Sequence, residues 1–214
     1  MKVIKLESKK FSEKLFSMKD ISKKTVEEHL KLYVGYVNKY NEIQEKLAGL
    51  KDEDYAKANQ VFSLIRELKV ELSFAWGGVI NHEIYFSHLG GKGGKPIGKL
   101  LNQIEKDFGS FENYKKDLKA TGISARGWVW TGFNYRERRL VNYLGDSQNT
   151  YSMWEVEPLI ALDTYEHAYF IDYGVNRAAY IDSFFENLDW KKIGERFDKV
   201  ISCCQGQCKC QTCQ

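Results

Sequence analysis

From Ser22 to about Leu47 apolar and aromatic positions recur at three- and four-residue intervals. Val26, His29, Leu30, Tyr33, Tyr36, Val37 and Tyr40 fall on one broad face, the spacing one side of an α-helix requires. Ser22 and Thr25 are candidate caps, and Glu27 and Glu28 stand near the positive end of the helix dipole. A second helical pattern runs from about Asp54 to Phe86 through Val61, Leu64, Ile65, Leu68, Leu72, Phe74 and Ala75. The two segments are expected to pack as an antiparallel hairpin. The run Gly90-Gly-Lys-Gly-Gly-Lys-Pro96 interrupts every periodicity and marks the expected domain boundary. Ahead of the first helix, residues 1–24 are lysine-rich with scattered apolar positions (Val3, Ile4, Leu6, Phe11, Leu15, Phe16), an irregular arm that packs only in part.

Beyond the glycine run, Ile97–Phe108 and Phe111–Thr121 read as two short helices separated by Gly109-Ser110. Three strand candidates follow, Gly127–Phe133, Arg139–Leu144 and Pro158–Leu162, the first two joined by the polar turn Asn134–Arg138. Glu166–Asn187 reads as helix again. The expected fold class is α+β: a helical hairpin domain over residues 1–90, an α/β domain with a three-stranded antiparallel sheet over 91–202, and a cysteine-rich tail over 203–214.

The 43% hydrophobic and 14% aromatic content suffices for a packed core. Lysine plus arginine exceed aspartate plus glutamate only 32 to 29, too small a surplus for a nucleic-acid binder but compatible with a local positive surface that draws in a small anion. No run approaches the ~18 apolar residues of a membrane span, and Met1-Lys-Val-Ile-Lys-Leu-Glu lacks the apolar core of a signal peptide. A cytoplasmic protein is therefore expected. The five cysteines, Cys203, Cys204, Cys208, Cys210 and Cys213, all lie in the tail, so the body uses no disulfide, as suits a reducing compartment.

The chain has four histidines. His82 falls near the end of the second helix, and His167 lies four residues after Asp163. A D-x-x-x-H pair is weak evidence by itself, and a lone helical histidine such as His29 is more often a core residue than a ligand. Three imidazoles and a carboxylate would suit iron or manganese, which take mixed nitrogen and oxygen ligands and can keep a position open.

Larger motifs sharpen this. Asp163-Thr-Tyr-Glu-His-Ala-Tyr169 resembles the D-x-W-E-H-A-Y signature of iron/manganese superoxide dismutases. Asn81-His82 resembles their N-H helix end, and Gly127-Trp128-Val-Trp130 their G-W-x-W strand. Phe108-Gly-Ser110, Tyr173 with Asn176-x3-Tyr180, Asp189-Trp190, Thr25-Val-Glu-Glu-His29 and Tyr36-Val-Asn38 follow in the family's order, so the resemblance covers roughly residues 11–200.

The resemblance implies an enzyme that converts superoxide to dioxygen and hydrogen peroxide at one manganese or iron ion per subunit. His29, His82, Asp163 and His167 match the family's metal ligands. Gln148 resembles the glutamine that hydrogen-bonds the coordinated solvent in manganese-type members. Iron-type members supply theirs four residues before the second histidine, where this chain has Gly78, expected to leave room for Gln148; manganese is thereby favoured. Trp128 and Trp130 would wall the site, with Tyr165 in place of a tryptophan. Glu166 resembles the glutamate that crosses a two-fold interface toward the partner's counterpart of His167, implying a homodimer or tetramer. His88 matches no ligand position and is expected to be a solvated loop residue.

Two departures stand out. The family's H-x3-H-x3-Y becomes His29-x3-Tyr33-x2-Tyr36, one residue shorter. At about 100° per residue the two tyrosines still lie within about 60° of each other around the helix. Tyr36 is the expected gateway and Tyr33 stands for the second histidine, whose usual tyrosine partner from the other subunit is here Phe170. The second departure is the tail, Cys203-Cys204-x3-Cys208-x-Cys210-x2-Cys213, whose spacing suits a soft ion, zinc or monovalent copper. A dismutase-fold trafficking protein whose tail binds the metal is the alternative function.

Overall fold

The computed structural model describes residues 3–150 and 153–204. Helix α1 (Lys23–Ala48) begins where Ser22 Oγ accepts the Thr25 amide proton, satisfying one of the donors a helix start leaves free. Thr25 itself lies inside the helix. The long second helix is not continuous: α2 (Asp52–Ala56) stops, and α3 (Leu64–Ser87) starts afresh at Ser63, whose Oγ accepts from the Arg66 amide. Between them Asn59 Oδ1 accepts the backbone N–H groups of Val61 and Phe62 at 2.7 and 3.3 Å. An asparagine side chain so placed offers the backbone an alternative to helix, and Val61 and Phe62 are left exposed. α1 and α3 form the expected hairpin.

The chain continues through α4 (Gly98–Phe108), α5 (Phe111–Ser124), β1 (Trp128–Asn134), β2 (Arg139–Gly145) and β3 (Val156–Asp163). Gly109, at φ +80°, ends α4 in the left-handed region that favours glycine, and Ser110 caps α5. The sheet is antiparallel throughout, in the order β2-β1-β3, with every residue of β1 buried. Trp128 pairs with Asp163 at one end, and the register against β3 shifts between Thr131 and Gly132.

The expected helix over Glu166–Asn187 is also broken. A 3₁₀ turn (Glu166–Ala168), a short α6 (Phe170–Tyr173) and α7 (Arg177–Glu186) replace it. Gly174, at φ +51°, ends α6, and Asn176 Oδ1 caps α7 by accepting from the Ala179 amide. A final helix, α8 (Trp190–Cys204), lies beyond the predicted elements. Its buried positions Trp190, Ile193, Phe197 and Val200 nevertheless carry helical spacing. The arm before α1 holds a 3₁₀ turn (Glu13–Ser17) that buries Leu15. No helix among the described residues is long and apolar enough to cross a membrane.

One apolar cluster runs from α1 and α3 through the sheet to α5, α7 and α8. A smaller one, Ile43, Leu47, Leu68 and Ala75, joins the far ends of the hairpin helices. The glycine run that ends α3 is strapped down. Leu89 bridges Leu188, the Asp189 amide donates to His88 O at 2.7 Å, Gly91 N to Asn187 O at 2.9 Å and Gly93 N to Leu188 O at 3.1 Å. A Cβ on Gly91 would stand 2.2 Å from Leu188 O, a backbone atom that cannot swing aside. Gly91→Ala is therefore expected to destabilise the protein by about 1–3 kcal/mol. The check is the midpoint of urea unfolding, and an unchanged midpoint would show that the strap does not hold the two segments together.

Candidate metal centre

α1 supplies His29, α3 supplies His82, the last residue of β3 is Asp163, and the 3₁₀ turn beyond it supplies His167. One ligand-capable atom from each lies within 4.8 Å of all the others. The geometry is centred on one oxygen: Nε2 of His167, His29 and His82 stand 3.0, 3.1 and 3.7 Å from Asp163 Oδ2. Asp163 Oδ1 accepts from the Tyr165 amide, which sets the carboxylate's orientation.

His82 shows what the cluster lacks. Its Nδ1 lies 2.6 Å from Gly78 O; a carbonyl only accepts, so Nδ1 carries the proton and Nε2 presents a lone pair. That Nε2 is buried with no hydrogen-bond partner among the described residues. A buried polar atom without a partner is uncommon, and one aimed among two further imidazoles and a carboxylate fits a cation. The donor set suits manganese or iron.

Electrostatics agree. Burial pushes His82 down to about 3, helped by His29 beside it. Burial likewise lowers His29 against the pull of Asp163. For Asp163 burial works upward, but the His167 and His29 imidazoles outweigh it and hold the carboxyl well below the usual range. Burial would lower His167, yet the Asp163 charge outweighs it and raises the imidazole. Three imidazoles thus surround one buried carboxylate, where a divalent or trivalent ion would give the unpartnered His82 Nε2 a partner.

Around the cluster runs a hydrogen-bonded chain. Trp128 Nε1 donates to Gln148 Oε1 at 2.9 Å, and Gln148 Nε2 donates to the Tyr36 hydroxyl at 3.3 Å. Trp130 Nε1 donates to Asn81 Oδ1 at 3.2 Å, and Asn81 Nδ2 to Gln148 O at 3.4 Å. Asn81, legible in the sequence only as part of a motif, therefore ties α3 to the segment that carries Gln148. The rings of Tyr36 and Trp128 pack on His82, and Tyr165 stacks on His167.

Several expectations need correction. The space at Gly78 is not taken by Gln148: a Cβ there would meet the Tyr36 ring at 2.5 Å. It is Gly77 that admits the Gln148 segment, since its Cβ would stand 1.8 Å from Gln148 O. The two tyrosines do not share one environment. The Tyr33 hydroxyl accepts from Lys9 N at 2.8 Å and donates to Glu83 Oε1 at 3.1 Å, outside the Tyr36–Gln148 chain. Burial pushes Tyr33 up to about 12. Lys9 also pairs its ammonium with Glu83, a contact from the irregular arm that no helical periodicity reveals. His88 is not solvated but 3% exposed.

Glu166 and Phe170 are exposed. Glu166 and the partly exposed His167 line a cavity of about 400 Å³ with Arg126, Thr164, Tyr165 and Arg177. Cys203 and Cys204 fall within the last turn of α8, while Cys208, Cys210 and Cys213 lie outside the described residues.

Comparison with known proteins gives the family. The alpha-hairpin domain of iron/manganese superoxide dismutases matches residues 19–90, and their C-terminal domain matches residues 96–196. The chain is 46% identical over 188 residues to a protein of Aquifex aeolicus named superoxide dismutase [Fe], covering 86% of this chain and 88% of that one. It is 45% identical, with the same coverage, to the protein of that name from Aquifex pyrophilus. Against superoxide dismutase [Mn] 1 of Halobacterium salinarum it is 32% identical over 78% of this chain and 80% of that one. The chain belongs to the iron/manganese superoxide dismutase family, and it is an enzyme that dismutes superoxide with iron or manganese.

Proposed function

We propose that His29, His82, Asp163 and His167 are the four protein ligands of the redox ion, that the ion is manganese, and that Tyr36 and Gln148 serve proton delivery. The observation that carries the reading is the convergence of three imidazole Nε2 atoms on Asp163 Oδ2 beside an unpartnered His82 Nε2. When bound, the ion supplies one-electron chemistry between its trivalent and divalent states, oxidising one superoxide and reducing the next.

The protein's own part is to hold charge and protons. Because Trp128 donates to Gln148 Oε1, the amide is oriented with its NH₂ toward Tyr36. Tyr36 accepts there, and among the described residues its own hydroxyl proton has no acceptor, so it remains available to a reduced anion. Burial, with the Asp163 charge next in weight, raises Tyr36 above the ordinary phenol value and keeps it protonated. Manganese is supported by the Gln148 amide at the position the family's manganese type uses; the two Aquifex relatives carry iron in their names, so metal analysis decides. The same relatives are named dismutases, and the trafficking alternative is set aside. For the tail, the five cysteines support a separate soft-ion site for zinc or monovalent copper.

A homodimer is supported by Glu166 beside His167 in the lining of the cavity, and by exposed Phe170 and Ile171 close by in sequence. Sedimentation velocity should give a dimer that Glu166→Arg converts to monomer; a wild-type monomer at working concentration would remove the assembly.

Elemental analysis should find one manganese per chain, retained when the chain is cut after Ser202, whereas zinc or copper uptake should disappear with the tail. His82→Ala and Asp163→Ala should each lose the manganese and the activity, and full occupancy in either would refute the ligand assignment.

Gln148→Ala should keep the metal and lose activity about tenfold or more. Tyr36→Phe should slow turnover at high superoxide more than Tyr33→Phe. The reverse order, measured by pulse radiolysis, would make Tyr33 the gateway.

A further inference from the structure

We infer that His88 is a positioning residue for the metal centre, tying the edge strand that ends in Asp163 to the helix that carries His82. The inference rests on the reading of His82 and Asp163 as ligands. β3 has β1 on one side only, so its outward backbone groups need partners from elsewhere. Ala161 is fully buried, and its amide donates to His88 Nε2 at 3.0 Å. Ala161 stands two residues before Asp163, and His88 six residues after His82 on the last turn and cap of α3. The carbonyl of the same histidine accepts the Asp189 amide at 2.7 Å. One residue thus joins α3, β3 and the start of α8.

One more backbone group of β3, Pro158 O, is met by a side chain. Arg196 of α8 donates to Pro158 O and to Glu157 Oε1, each at 2.8 Å. Side chains of His88 and Arg196 therefore meet two backbone groups of β3, and of these two ties His88 lies nearer in sequence to Asp163.

The chemistry requires a neutral ring. Nε2 must accept, so Nδ1 holds the proton, and Nδ1 is buried without a partner among the described residues. Burial, followed by the nearby Arg196 charge, pushes His88 down to about 3, which keeps the acceptor in place. Leucine can fill the volume but cannot accept; glutamine has a carbonyl that can.

The test uses the full-length manganese protein. His88→Leu should weaken manganese binding, measured by chelator competition, by about tenfold or more, and should alter the Mn(II) electron paramagnetic resonance spectrum. His88→Gln should recover both. Wild-type affinity and spectrum in His88→Leu, even with a lower melting temperature, would overturn the proposal, as would a glutamine variant as impaired as the leucine one. If the leucine variant does not fold, hydrogen exchange of the wild-type Ala161 amide decides: protection supports the tie and rapid exchange refutes it. Failure of the wild type itself to bind one ion would instead refute the ligand reading.

Discussion

A single buried carboxylate oxygen organises this protein. Asp163 is fully buried, and a buried ionised carboxylate is tolerated only when paired and hydrogen-bonded. Its three imidazole neighbours come from the first helix, the third helix and a turn after the sheet, 134, 81 and 4 residues away along the chain. The hairpin and the sheet must therefore dock before the charge is met, and the continuous apolar cluster across them supplies the docking. A metal ion held by the proposed ligands would complete an arrangement that the apolar core assembles, and its binding energy would then add to the folding energy.

The supporting interactions follow the same logic. Each of these elements is held from outside the cluster: α3 by Asn81 through Trp130 and the Gln148 backbone, β3 by its pairing with β1, and α1 by packing on α3. The glycines at 77 and 78 serve this closeness. One lets the Gln148 backbone approach α3, and the other lets the Tyr36 ring lie against the same helix. A side chain at either would force apart groups whose hydrogen bonds orient the site.

Much of this was legible in the sequence, for identifiable reasons. The hairpin helices declare themselves because one face of each is buried, and burial imposes period; β1, buried at every position, shows instead as a short aromatic-rich run closed by a polar turn. The four residues that converge, proposed here as ligands, were legible because motifs surround them: Asn81 beside His82, Tyr165 and Glu166 before His167. What periodicity could not report was where local polar side chains take over the backbone. Asn59 interrupts the second helix and Asn176 restarts the last part of the one expected over Glu166–Asn187, and both positions are compatible with helical spacing in their neighbours. His88 was misread because a polar residue beside a glycine run usually faces water; only the missing neighbour of β3 creates a buried need for an acceptor. Tyr33 lies on the expected side of the helix, but the arm that claims its hydroxyl has no pattern to announce it.

The chain from Trp128 through Gln148 to Tyr36 has a direction. The indole can only donate, so the amide carbonyl must face it and the amide nitrogen must face the phenol. Neither link can reverse, and the buried end offers no exchangeable reserve that could be passed outward without breaking the order. On the proposed role of Tyr36, a proton it surrenders is not returned through Gln148 and has to be replaced from outside the chain of side chains. The direction of the chain thus makes reloading of the phenol a step separate from the hydrogen bonds that orient it.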